Sequence, residues 1–207
     1  MNEVCLFGYS GHSYVIIDSL LRLGFEIKGY FNNREVDYNP FDLNYLGFET
    51  DSNFLEQVGD AYVFPALGNN STRQKLIQLF DKNELKQLTI IDPSAIISKH
   101  AQIGLSTYVA PKAIVNSLAH IGSGTIINSG AIIEHNVIVK DFCHTAPGAV
   151  LCGGVSLGNL SFVGANAVIK ENCTIGENSI IGAGAVVIQN VPNNEIWVGC
   201  PAKKIKS

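Results

Sequence analysis

Ile121-Gly122-Ser123-Gly124-Thr125-Ile126, Ile127-Asn128-Ser129-Gly130-Ala131-Ile132 and Ile133-Glu134-His135-Asn136-Val137-Ile138 are three successive turns of a six-residue repeat that runs from Ile91 to Pro192. The first position of each hexad reads Ile91, Ile97, Ile103, Val109, Val115, Ile121, Ile127, Ile133, Val139, Thr145, Leu151, Leu157, Val163, Ile169, Ile175, Ile181 and Val187, with Thr145 alone not aliphatic. The fifth position is slim throughout, from Ala95 and Ala101 to Ala185 and Val191, and neither column holds a charge. A period of six suits neither a helix nor an alternating strand. One large and one small inward side chain per hexad describes a short strand followed by a tight corner, and three such sides close a triangular coil. Coils stacked at the strand spacing satisfy each other's backbone groups, which predicts a parallel β-helix about 27 Å long. The physics of the repeat does not give its hand, because the general crossover preference is right-handed.

Residues 1–89 follow a different pattern. Val4–Phe7 reads as a strand ending in Gly8-Tyr9-Ser10-Gly11-His12, followed by a helix carrying Tyr14, Ile17, Leu20 and Leu21 and stopped at Gly24. Phe25–Phe31 reads as a second strand ending at Asn32-Asn33, residues 37–53 as a loop, and Asn53–Val58 as a short helix. Ala61–Leu67 reads as a third strand ending at Gly68-Asn69-Asn70, after which Ser71 is positioned to cap a helix with Leu76, Ile77 and Phe80 on one face. This order predicts a small Rossmann-like parallel sheet with ligands at the carboxyl ends of its strands. The expected domains are 1–89 and 90–207.

With 207 residues, roughly 70% of the unfolded surface can be buried without staples. The net charge of −4, with no basic run, argues against nucleic acid as a partner. Five cysteines without a CxxC pair read as reduced thiols, and no apolar stretch is long enough to span a bilayer, so the expected compartment is the cytoplasm. His100, His120, His135 and His144 lack the close spacing of a zinc site, so no metal is expected.

Two segments stand out chemically. The Gly8–His12 turn enters a helix and suits a phosphate, but without a third glycine it reads equally as a structural turn. Ile133-Glu134-His135-Asn136, His144 and Gly153-Gly154 interrupt the repetitive wall with polar groups. The nine-position spacing from His135 to His144 amounts to half a coil, so the two do not share a face. They read either as exposed corner histidines or as parts of a site completed across a seam between subunits.

The GYSGH turn, the LGNN strand end, the hexapeptides, the segment IEHNVIVKDFCHTAPGAVLCGGVSLG and the closing VGCPAKKI together resemble the bacterial sugar O- and N-acetyltransferases over essentially the whole chain. That resemblance implies a left-handed β-helix, a homotrimer, and acetyl-CoA as co-substrate without a metal. It also implies N-acetylation of a nucleotide-linked, UDP-type 4-amino-6-deoxy sugar. O-acetylation of sialic acid, or N-acetylation of a GDP-linked amino sugar, is the alternative. Carried onto this sequence, it makes His135 the general base, with His144 near the acetyl group and the sugar and Gly153 N–H the oxyanion donor. Asn128 falls at an active-site position, Ala165 and Ala183 lie along the pantetheine arm, and Lys203 and Lys204 lie near the phosphates of coenzyme A. Ser10, Gly11 and His12 would bind the sugar nucleotide's phosphates, and Asn32, Asn33, Gly68 and Asn69 its nucleoside. Asn136 stands where many relatives have an acid, so Glu134 or a neighbouring subunit is expected to support the imidazole by charge, which an amide cannot do.

Overall fold

Strand residues in the repeat pair with partners eighteen positions along the chain: Ile114 with Ile132, Ile132 with Val150, and Val150 with Val168. The computed structural model describes residues 3–205, so the outermost residues of both expected domains lie outside it. From Ile90 onward, two-residue strands form three parallel sheets, which are the faces of a triangular β-helix. The first face carries Ile90–Ile91, Tyr108–Val109, Ile126–Ile127, His144–Thr145, Phe162–Val163 and Ile180–Ile181. The second runs from Ile96–Ile97 to Val186–Val187, and the third from Gln102–Ile103 to Thr174–Ile175.

The first-position residues point inward and stack: Val109, Ile127, Val163 and Ile181 are completely buried on the first face alone. Each fully buried aliphatic side chain of this kind contributes about 1.5–3 kcal/mol relative to exposure. The slim column, Ala113, Ala131, Ala149, Ala167 and Ala185, closes the corners with no exposed surface. At the turns from Ser106 to Gly184, the fourth residue of each hexad takes a left-handed backbone, as Asn136, Asn166, Asn172 and Asn178 do. Asn tolerates this conformation better than other residues with a Cβ.

The last hexad breaks the period. Ile175 bridges to Val191 and Ile181 pairs with Trp197, so this coil is two residues short. Val191 therefore occupies the large inward column and not the slim one that counting by six assigns to it. Ile196–Val198 then pairs antiparallel with Lys203–Ile205 and ends the first face.

The N-terminal part contains β1 (Glu3–Phe7), α1 (Gly11–Arg22), β2 (Glu26–Phe31), α2 (Phe54–Val58), β3 (Tyr62–Pro65) and α3 (Asn70–Lys82). Its parallel sheet has the order β2-β1-β3. A bridge from Tyr30 to Tyr45 and another from Val63 to Gln87 cover both edges, so part of the expected loop closes an edge. The cap of α3 is Asn69, whose side chain accepts from Thr72 N–H at 2.9 Å, and Ser71 lies inside the helix.

This domain sits on the first face of the prism. Ile16, Ile17 and Leu20 of α1 pack in one cluster with the outward residues Ile90, Tyr108 and Ile126. Below them, the Ser19 hydroxyl meets Asp92 Oδ2 at 2.7 Å and Tyr108 Oη at 2.9 Å, and Arg22 pairs with the same carboxylate at 2.9 Å. Burial alone would raise the Asp92 carboxyl. Hydrogen bonds from Ser94 and Ser19 and the charge of Arg22 outweigh it and hold the group below the usual carboxylate range. Among the described residues, no helix is long and apolar enough to cross a membrane.

Thr145 is the exception in the inward column, and its completely buried hydroxyl has no partner among the described residues. An unsatisfied buried hydroxyl is destabilising. Thr145→Val is expected to stabilise the fold by about 1 kcal/mol, read as a higher midpoint in thermal unfolding. An unchanged or lower midpoint would show that the hydroxyl is satisfied.

Candidate functional site

Eighteen-residue stacking places Gly153 directly beneath His135, and the contact is close. A Cβ built on Gly153 would lie 2.7 Å from His135 Nε2 and from Cε1, so only glycine leaves room for the ring. The ring's other nitrogen, Nδ1, lies 3.0 Å from Asn136 Oδ1. An amide oxygen can only accept, so Nδ1 carries the proton and Nε2 presents a lone pair. Asn136 thus orients the ring but brings no charge to it, and Glu134 makes no bond to the ring among the described residues. Asn136 holds its left-handed turn position with φ 59°, which brings its side chain back alongside the neighbouring ring. His135 is exposed on the corner between the second and third faces. Within the chain, Gly153 N–H has no acceptor among the described residues.

His144 is in a different setting. It is a strand residue on the first face, only 9% exposed, and not a corner histidine. Position six of a hexad points outward, but here the N-terminal domain covers it. Its Nδ1–H donates to Gly68 O at 3.2 Å, its Nε2 accepts from Asn128 Nδ2 at 3.1 Å, and Phe162 packs edge-on at 5.2 Å. His12, in the first turn of α1, faces it with the ring centroids 6.1 Å apart, and the His12 Nε2 is buried without a partner among the described residues. Burial, reinforced by the nearby Arg73 charge, pushes both imidazoles down to about 4. The two rings are therefore neutral at neutral pH.

Two clefts flank the Leu67–Thr72 turn. One, of about 330 Å³, lies between Gly68, Asn69, Asn70 and Ser71 on one side and Phe162 and Ile180 of the first face on the other. The second, of about 250 Å³, lies at the carboxyl ends of β1 and β2 and is lined by Gly8, Asn32, Asn33, Phe48 and Glu49. Gly8 adopts φ 101°, and a Cβ there would collide with Leu67, so the tight exit from β1 requires glycine. Asn32 and Asn33 thus share a pocket, whereas Gly68 and Asn69 line its neighbour, so the four do not line one cleft. Ser10 precedes α1, its N–H held by Ser13 Oγ at 2.8 Å, and Gly11 opens the helix beside it.

The remaining candidates are spread along the prism. Ala165 and Ala183 stack on the corner between the first and second faces, the corner that also carries Asn128. Lys204 pairs with Glu195 at 2.7 Å, while Lys203 lies beside it on the terminal strand. The five cysteines are free, and no group of three His, Cys, Asp or Glu residues among those described is arranged to hold a metal. One residue that the sequence reading passed over is central: Arg73, 1% exposed, bonds to both the Leu67–Gly68 turn and the prism.

A pocket at the carboxyl ends of a Rossmann-like sheet, joined to a triangular β-helix with an exposed imidazole over a glycine, defines a hexapeptide-repeat acyltransferase. Two family signatures match: the PglD N-terminal domain at residues 3–80, and the bacterial transferase hexapeptide (six repeats) at residues 154–189. The fold is similar to PerB from Caulobacter crescentus, solved with CoA and GDP-perosamine, at 30% identity and a TM-score of 0.93 over 100% of this chain and 98% of that one. A variant of perosamine N-acetyltransferase from the same organism, in complex with the same two molecules, gives 29% and 0.95, again over 100% of this chain and 98% of that one. The acetyltransferase domain of PglB from Neisseria gonorrhoeae in complex with acetyl coenzyme A gives 26% and 0.92, with 99% of each chain covered. Among curated proteins the sequence has no match. The chain belongs to the hexapeptide-repeat sugar N-acetyltransferases, and its prism is the left-handed β-helix of that family.

The two depressed histidines couple stability to pH. Unfolding restores them toward 6.5, so between pH 6.5 and about 4 the unfolded chain binds protons that the folded rings refuse. Their neutral form supports full stability above 6.5, and that support is lost as the pH falls through this window. Thermal midpoints are expected to drop from pH 6.5 to 5, where carboxylates contribute least, and to drop less in the His12→Gln/His144→Gln double variant. Equal slopes in the two proteins would contradict the depressed values.

Proposed function

We propose that this protein transfers the acetyl group of acetyl-CoA to the amine of a nucleotide-linked 4-amino-6-deoxy sugar. The observation that carries this reading is the His135 lone pair at Nε2, fixed by Asn136 and set over Gly153. In the proposed step, the neutral amine attacks the thioester carbonyl while His135 Nε2 accepts the proton that the amine sheds. The carbonyl oxygen becomes an oxyanion, and the open Gly153 N–H is the donor placed to stabilise it. Collapse breaks the carbon–sulfur bond, and the imidazolium returns its proton to the departing thiolate. The step needs no covalent enzyme intermediate.

We further propose that residues 1–89 hold the nucleotide sugar and residues 90–207 the acetyl donor. Ser10, Gly11 and His12 would meet the diphosphate with the α1 N-terminus. Asn128 and His144 would face the sugar, Ala165 and Ala183 would flank the pantetheine arm, and Lys203 and Lys204 would approach the phosphates of coenzyme A. The cytoplasm is where that donor and these reduced thiols belong.

Triangular geometry argues that the working unit is a homotrimer. The corner bearing His135 lies opposite the first face, so the base cannot reach a sugar held by its own N-terminal domain. Between the His135 corner and the Asn128–Ala165–Ala183 corner runs the second face, whose outward residues Ile96, Ile114, Ile132, Val150, Val168 and Val186 are all aliphatic. Burying that ladder against another chain would bring one subunit's His135 to the next subunit's sugar. Val150→Asp is expected to yield folded monomers by light scattering, with acetyl transfer lost. Monomers with full activity would refute a shared site.

The base pocket supports two readings of the nucleotide. A uridine nucleotide, which the family resemblance implies, presents one ring N–H. Guanine presents adjacent N–H and NH₂ donors, which suit a carboxylate. Glu49 lines the pocket with no ion pair among the described residues, and the Asn32 amide nitrogen is already spent on Arg34 O at 3.1 Å, leaving its oxygen to accept. This acceptor-rich lining favours a GDP-linked sugar, as in the perosamine enzyme complexes. Steady-state transfer to UDP- and GDP-linked amino sugars, with His135→Ala as the control, tests the whole proposal. The variant is expected to lose about 10²–10⁴-fold in kcat with unchanged acetyl-CoA affinity. Full activity in it, or no transfer to either sugar by the wild type, would sink the assignment.

A further inference from the structure

Arg73 heads the apolar stripe Arg73, Leu76, Ile77 and Phe80 of α3, at spacings where a packed helix normally presents hydrocarbon. Its guanidinium donates to Leu67 O at 3.0 Å, Gly68 O at 3.2 Å and Asn70 Oδ1 at 2.8 Å on the turn. On the prism it donates to Gly124 O, Phe142 O at 3.2 Å and Cys143 O at 3.0 Å. Every partner is a neutral oxygen, and no carboxylate among the described residues pairs with it. Burying a charge without a counterion is costly, and a methionine would fill the same helix position more cheaply. The fixed fork therefore needs a reason beyond packing.

That reason lies one bond away. The Gly68 carbonyl that Arg73 grips is the same oxygen that accepts His144 Nδ1–H. Asn70, gripped through its Oδ1, reaches with its amide nitrogen to Leu160 O and Ser161 O at 2.9 and 3.1 Å, beside Phe162 in the larger cleft. The arginine thus sets both the orientation of the His144 ring and the width of the cleft between turn and prism.

We propose that Arg73 is a positioning residue for acetyl transfer, clamping the Leu67–Asn70 turn to the prism so that the Gly68 carbonyl holds His144 in the orientation that meets the amino sugar. This rests on the sugar-acetylating function proposed above. The charged and titratable groups facing His144 are Arg73 from α3 and His12 from α1, while Asn128 and Phe162 on the prism are neutral. The Arg73 charge acts with burial in keeping the ring unprotonated.

Arg73→Met and Arg73→Lys are to be compared with the wild type by thermal unfolding, steady-state kinetics and histidine NMR. Both are expected to raise KM for the nucleotide sugar and lower kcat/KM by about tenfold or more, with KM for acetyl-CoA within about twofold. In Arg73→Met the His144 titration should move upward and its Nδ1–H signal should broaden through faster exchange. Arg73→Lys keeps the charge but not the fork, so its kinetics should fall while the titration stays low. Methylguanidine should restore activity to Arg73→Ala. A folded Arg73→Met with wild-type kcat/KM and an unchanged His144 titration overturns the proposal. If that variant does not fold, Arg73→Lys with wild-type kinetics overturns it equally. The NMR readout needs no substrate, so it still tests the clamp if the wild type proves inactive on amino sugars.

Discussion

The backbone ladder that joins each coil to the next is the constraint on which everything else rests. Because strand residues must pair with partners eighteen positions away, every side chain inherits an address: a face or corner, and a height. Ile90, Tyr108, Ile126, His144, Phe162 and Ile180 form one outward column for no other reason. The upper three are covered by α1, the lower two line an open cleft, and His144 stands at the border. His135 over Gly153 is the same arithmetic on another corner. The chemistry is thus arranged by a periodic scaffold that does not itself react, with the reactive groups on rigid short strands and hydrogen-bonded turns.

Onto that scaffold the N-terminal domain is fixed by two unlike polar junctions. At one end Asp92 gathers Ser19, Ser94 and Arg22, an ionised carboxylate with ample donors. At the other, Arg73 meets only carbonyl and amide oxygens. Apolar packing between α1 and the first face supplies the bulk attraction, while these directional bonds select one seating of the domain. Gly68 belongs to both the domain junction and the candidate site, so seating and chemistry cannot vary independently.

The sequence disclosed the parts governed by period and withheld those governed by distance. Columns of Ile, Val and Ala identified the prism, and a glycine turn between strand and helix identified the Rossmann-like sheet. Counting by six failed at Val191, because a two-residue shortening leaves no local mark among Ile188-Gln189-Asn190. Position six gave the outward direction of His144 but not its cover, since Gly68 lies 76 residues away in sequence. The Asn69-Asn70-Ser71-Thr72 run offers several possible caps, and only the reach of Asn69 Oδ1 to Thr72 N–H decides between them. Arg73 did leave a signal, a cation at the head of an apolar helical stripe, which is the pattern to look for when a buried charge joins two domains. At Asn136 the sequence directs attention to Glu134 or a neighbouring subunit for charge, whereas the neighbouring amide oxygen fixes which imidazole nitrogen is free.

The shortened last coil shows what kind of change this architecture can absorb. Loss or gain of whole eighteens would leave each downstream residue on its old face. Any other length would turn the rest of the chain by part of a revolution, like a slipped thread on a screw. Here the slip falls between Val187 and Val191, beyond His135, His144, Gly153 and Ala183. Such a change is absorbed beyond Ala183, where little of the stack remains to be turned, and not between Asn128 and Ala183.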